Sequence, residues 1–194
     1  QGAPQSVGVV TLTIAGSGTG TFALGTGISL TADVVDTGTG TAISGTDYAA
    51  FGTQTVTFNG GAASGTTQSV SLTPVNDTLL EGSETVALTL GNLNGSAVTK
   101  SLGNTANTTT ITDNESATLA IAATSAVTEQ GGAQNVGVTL AITGSGSGTF
   151  ALGDGITLTA DVVDLLTGTA ISSTDYAVFG TQTVTFTGGA ATGT

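Results

Sequence analysis

Residues 21–66 of this chain return at 149–194 with only eight substitutions, at an offset of 128 residues. A repeat of that length is domain-sized, so it points to tandem domains and away from a short-period solenoid. The 194 residues hold one full period and part of a second. The chain therefore reads as a section of a longer repetitive protein, an organisation suited to building or binding more than to catalysis.

Inside the repeat, apolar and polar residues alternate with period two. Ile28, Leu30, Ala32 and Val34 share one strand face, as do Val86, Leu88 and Leu90. The same holds for Leu119 and Ile121, for Val136, Val138, Leu140 and Ile142, and for Val184 and Phe186. Glycine (31) and threonine (42) both disfavour helix, the first through backbone entropy and the second through its β-branch. A hydrophobic fraction of 38% is too high for a disordered chain. Short alternating strands between Gly, Asn and Asp joints predict an all-β fold of tandem antiparallel sandwiches. The strands fall near 6–15, 28–36, 53–58, 68–75, 83–91 and 107–112, then near 117–123, 134–143, 156–164 and 181–187.

The segment Asp113-Asn114-Glu115-Ser116 marks the boundary. Residues 1–115 make a sandwich without its opening strand, and 116–194 make the first part of a second, incomplete one. The second lacks counterparts of the strands at 68–75, 83–91 and 107–112, so it is expected to expose its core face and strand edges. The continuing chain would supply those strands; alternatively a neighbouring chain supplies them by strand addition and builds a fibre. The alternation also slips once. Val7 and Val9 precede Leu12 and Ile14, whereas the second copy runs from Val136 to Ile142 without a break. One extra residue near Val10–Thr11 predicts a β-bulge there.

Thirteen acidic residues against a single cation, Lys100, give a net charge of −12. Such a field excludes nucleic acid and anionic membrane surfaces as partners and favours cations. No uncharged apolar run approaches the roughly 20 residues of a membrane helix, so no membrane insertion is expected. Without Cys there is no disulfide or thiolate site. Without His, Cys or Arg, only carboxylate chemistry such as a glycosidase pair remains. Six Phe, two Tyr and no Trp make a poor sugar platform, so the chain is not expected to be an enzyme. Tyr48 and Tyr176 are expected to pack their rings and tie their hydroxyls to turns.

The acidic residues of interest lie in Asn76-Asp77-Thr78-Leu79-Leu80-Glu81-Gly82-Ser83-Glu84. Glu84 shares parity with Val86 and Leu88, and Asp113 with Ile111, so both aim toward the core side at a strand end. A carboxylate placed there needs a partner. With Lys100 as the only cation, that partner is a metal, and hard oxygen ligands without His or Cys select Ca²⁺. Asp33 and Asp161, on outward strand faces, read as solvated.

Taken in order, Gly45-Thr46-Asp47-Tyr48, Val56-Thr57-Phe58, Asn76-Asp77, Glu81-Gly82-Ser83-Glu84-Thr85 and Thr110-Ile111-Thr112-Asp113 resemble a Calx-beta domain. The second copy repeats Ser173-Thr174-Asp175-Tyr176 and Val184-Thr185-Phe186. The family is known from the calcium-binding regulatory domains of sodium–calcium exchangers and from large bacterial surface proteins. The resemblance implies an immunoglobulin-like sandwich with calcium at one end. By matching position it implies Glu129, Asp47, Asp175, Asp77, Glu81, Glu84, Asp113 and Glu115 as ligands. Where strong binders carry a run of Asp, this chain has Asn76-Asp77-Thr78 and Asp113-Asn114-Glu115, and fewer carboxylates imply weaker binding. The expected function is a structural or adhesive repeat module of an extracellular, cell-surface bacterial protein, as a filament or sheath subunit, with weak calcium binding at the domain junction. Its partners would be copies of itself or adjacent repeats of the same chain, together with surface glycans or proteins. A calcium-responsive regulatory module is the alternative.

Overall fold

The computed structural model describes residues 2–96, 98–129 and 131–194. Among these residues the chain is all-β, without a helix. The strands are β1 (Gln5–Thr11), β2 (Ser29–Asp36), β3 (Gln54–Asn59), β4 (Thr67–Leu72), β5 (Leu79–Leu80) and β6 (Glu84–Gly95). They continue as β7 (Ala106–Ile111), β8 (Ser116–Ile121), β9 (Val138–Thr143), β10 (Ala151–Leu152), β11 (Thr157–Val162) and β12 (Gln182–Thr187). Each of the ten stretches expected from alternation holds a strand, though the one expected from 134 begins only at Val138. The two-residue strands β5 and β10 are additional. The chain divides into two compact units: the first takes in the chain up to Asn76 and Ser83–Thr112, the second Asp77–Gly82 and Asp113–Thr194.

The first unit has two antiparallel sheets, one in the order β3-β2-β6-β7 and one pairing β1 with β4. Strand β3 illustrates why: Val56 and Phe58 are buried, while Thr55 and Thr57 between them face solvent. Ala32, Val34, Val56, Phe58, Val86 and Leu88 of the larger sheet share one core with Val70 and Leu72 of β4 and with Leu12 just beyond β1. Two pleated sheets with one apolar face each thereby bury both, a sandwich arrangement.

Strand β1 carries the expected bulge. Val7 pairs with Val70 and the next pair is Val10 with Gln68, so the irregularity sits at Gly8–Val9, slightly earlier than Val10–Thr11. Glycine explains the placement: Gly8 adopts φ +55°, a left-handed conformation that costs other residues more. The bulge turns Val9 outward, 63% exposed, and restores Leu12 to the core. A second irregularity, between β2 and β6, steps from Thr31↔Asn94 to Asp33↔Gly91. It leaves Asn92 at φ +48° with its amide on Asp33 Oδ2 at 2.6 Å.

The second unit pairs β8 with β9, β11 with β12 and, in parallel, β10 with β5. Its β11–β12 ladder repeats β2–β3 pair for pair: Leu158↔Phe186 matches Leu30↔Phe58, and Ala160↔Val184 matches Ala32↔Val56. Its core is smaller. Leu140, Ile142 and Leu152 are buried, with Leu80, Leu119, Phe150, Leu158 and Phe186 packed around them.

Candidate cation site

The Gly45-Thr46-Asp47-Tyr48 turn is closed by its own backbone. Asp47 N–H donates to Ile43 O at 2.9 Å and Gly45 N–H to Tyr48 O at 2.7 Å. Asp47 Oδ2 accepts from Ile43 N–H at 2.6 Å. The Tyr48 hydroxyl donates to Asp36 Oδ2 at 2.5 Å, and Tyr176 repeats this on Asp164. Burial, followed by the neighbouring Asp36 carboxylate, pushes the Tyr48 hydroxyl up to about 12. Both tyrosines thus tie their hydroxyls to the end of the preceding strand segment, and the Tyr48 ring is almost fully buried.

The turn is anchored to the segment that leads into the acidic loop. Ala49 N–H donates to Thr73 O at 2.8 Å, and Val75 N–H to Asp47 O at 2.9 Å. Two residues past Val75 stands Asp77, whose Oδ1 accepts from Leu79 N–H at 2.8 Å. Asp47, Asp77 and Glu81 each offer a carboxylate oxygen, and the three atoms lie within 4.8 Å of one another. Asp47 is buried and the other two are half-buried. This group could hold a metal ion.

Asp113 has another task. Its Oδ2 accepts from the N–H groups of Glu81 (2.7 Å) and Gly82 (2.9 Å), and its Oδ1 from Glu115 N–H (3.0 Å). One carboxylate therefore fixes the end of the Asp77–Gly82 loop. Burial alone would raise the Asp113 pKa, but hydrogen bonds from the Glu115 side chain and the three backbone donors outweigh it and hold it below the ordinary value. Glu115 takes the opposite course. Burial, the hydrogen bond to Asp113 and the negative charges of Asp113 and Asp77 push it up to about 7. Its carboxylate fills the space beside Gly144, where a Cβ would stand 2.3 Å from Oε1.

The other residues singled out by sequence have settings of their own. Glu84 opens β6, half-buried and paired with Ile111. Glu129 is exposed in a turn. Asp175 repeats the turn of Asp47, accepting from Ile171 N–H at 2.7 Å, but is exposed. Glu84, Asp113, Glu115, Glu129 and Asp175 are not in the group formed by Asp47, Asp77 and Glu81. Asp33 is not merely solvated: Thr55 and Asn92 both donate to it and lower its pKa. Asp161 keeps the matching bond from Thr183.

No family model matches the chain, and no curated protein does. The donor set must speak for itself. Three hard carboxylate oxygens, in a chain without His or Cys, suit a hard divalent cation and disfavour zinc or copper. Three carboxylates supply only part of the roughly six to eight oxygens calcium takes, and nothing in the set separates calcium from other hard ions.

Proposed function

We propose that this chain is a non-enzymatic structural and adhesive repeat module of an extracellular bacterial surface protein, of Calx-beta type, with weak calcium binding at Asp47, Asp77 and Glu81. The observation that carries the reading is duplication at full register: the β2–β3 ladder recurs in β11–β12, pair for pair, 128 residues on. A protein that repeats a whole sandwich element this closely is built for length or for many equal contacts. The carboxylate triad supports the cation part, because little positive charge is available in the chain to neutralise it. Bound calcium would offset that repulsion and stiffen the acidic loop.

Calcium titration followed by calorimetry and thermal unfolding tests this. The expected affinity is on the order of 10⁻⁴–10⁻³ M, the range of extracellular modules. Asp47→Asn combined with Glu81→Gln should abolish it. An affinity near micromolar would favour the regulatory module instead. Absence of any calcium effect at ~10 mM, well above that range, would remove the cation from the reading.

A further inference from the structure

The second unit contains a strand that its own stretch of sequence does not provide. Leu79–Leu80, from the loop of the first repeat, lies parallel to Ala151–Leu152, with Ala151 N–H on Thr78 O (3.0 Å) and Gly153 N–H on Leu80 O (2.9 Å). Leu80 packs into the core of that unit beside Leu152. The contact is close, since a Cβ on Gly153 would stand 2.5 Å from Glu81 Cγ and 3.1 Å from Leu80 O. Here only glycine leaves room for the incoming segment.

The first unit carries the same edge, built the same way. Leu24 N–H donates to Ala62 O and Gly61 N–H to Leu24 O, as Leu152 does with Ala190 and Gly189. Ile28 N–H closes on Gly25 O as Ile156 does on Gly153. What differs is the cover. Ala151 is half-buried while Leu152 and Gly153 are buried; Ala23 and Gly25 are exposed and Leu24 only half-buried. A Cβ on Gly25 would meet nothing nearer than Ile28 Cγ1 at 3.7 Å. Among the described residues, neither strand hydrogen bond formed on Ala151 and Gly153 has a counterpart on Ala23 and Gly25.

We propose that Ala23-Leu24-Gly25 is a docking edge for a Thr-Leu-Leu-Glu-Gly loop of the Thr78–Gly82 kind, carried by another repeat of this type. The loop adds as a short parallel strand. Its first carbonyl accepts from Ala23 N–H, its second leucine covers Leu24 and contributes the carbonyl that accepts from Gly25 N–H, and its glutamate passes over Gly25. Main-chain bonds supply the adhesion and the leucine the selectivity, as in other strand additions. The inference rests on the chain being a repeat-built structural module, and it is independent of the cation.

The test uses the whole chain in chelator with a peptide of sequence Asn-Asp-Thr-Leu-Leu-Glu-Gly-Ser-Glu, read by amide exchange at single residues. Chelator removes cation binding, so failure of the calcium reading and failure of this one are seen separately. Saturating peptide should slow exchange at Ala23 and Gly25 at least tenfold. Gly25→Val should abolish that protection while leaving the β2–β6 amides protected, because the uncovered edge has room for the side chain. A peptide with its second leucine changed to lysine should not protect Ala23 in the unaltered chain, a control that no folding defect can imitate. Unchanged exchange at Ala23 and Gly25, or equal protection by the lysine peptide, overturns the proposal.

Discussion

Asp113 does the work of a clasp: one carboxylate receives three backbone N–H groups from two separate chain segments. Asp113→Ala would leave Glu81 and Gly82 without that acceptor, at a cost of about 1–3 kcal/mol where water cannot replace it. Faster exchange at these two amides is the measurement. Its neighbour Glu115 predicts an opposite pH response. Its folded pKa of about 7 exceeds the unfolded value of 4.5. The folded state thus holds the extra proton between these values, and this group's contribution is fully present below about 4.5 and lost as pH rises through about 7. Glu115→Gln should flatten that fall in melting temperature in chelator; an unaltered slope would refute the assignment. Asp113, with a lowered pKa, contributes above its ordinary range and loses that contribution as pH falls. Two substitutions in the second copy expose a third residue-level feature. Gly38 and Gly45, both at positive φ, become Leu166 (φ +54°) and Ser173 (φ +68°). Left-handed backbone costs an L residue roughly 1–2 kcal/mol. Leu166→Gly is therefore expected to stabilise the second unit by about 1 kcal/mol in denaturant unfolding, whereas a loss would show that Leu166 has a compensating contact.

At the scale of strands, alternation made most of the fold legible. Val56 and Phe58 against Thr55 and Thr57 leave one possible facing, and the same logic located the other long strands. The bulge was legible as a parity break between Val7 and Leu12. Its exact seat was not, because parity counts the extra residue without saying which one leaves the ladder; Gly8 decides that through its backbone. Gly8→Ala should cost about 1–2 kcal/mol, since it puts a side chain at φ +55° with Cβ 3.1 Å from Val70 Cγ2. Full stability in that variant would mean that the bulge can migrate. Strands β5 and β10 could not be read, because two residues carry no period. The acidic loop was recognisable as a candidate from its composition, and the Asp47 turn from its motif. That Asp113 would serve backbone amides was not foreseeable, because parity gives a direction but not a partner.

Over the whole chain, one sequence element meets two degrees of cover. Phe51 is 8% exposed and its counterpart Phe179 is 37% exposed. Tyr48 is almost fully buried, whereas Tyr176 is half-buried. Phe58 is buried and Phe186 only partly so. Equal residues with unequal burial predict unequal mutational costs. Phe58→Ala should cost about 3–5 kcal/mol and Phe186→Ala distinctly less, because the hydrophobic and cavity penalties scale with what surrounds the ring. Residue-resolved exchange during denaturant titration would read the two units separately, and equal costs would mean that Phe186 is better covered than its exposure implies.

The loop that reaches from the first repeat into the second has a consequence for inheritance. Leu80 and Gly153 are in contact with each other's surroundings although they belong to successive copies of one motif, so neither can drift alone. A bulkier residue at the glycine demands a smaller loop, and a changed loop demands a changed edge one period away. Repeats linked in this manner are held alike by their neighbours. That constraint gives a physical reason for glycine to stand at this edge in both copies, as Gly25 and as Gly153.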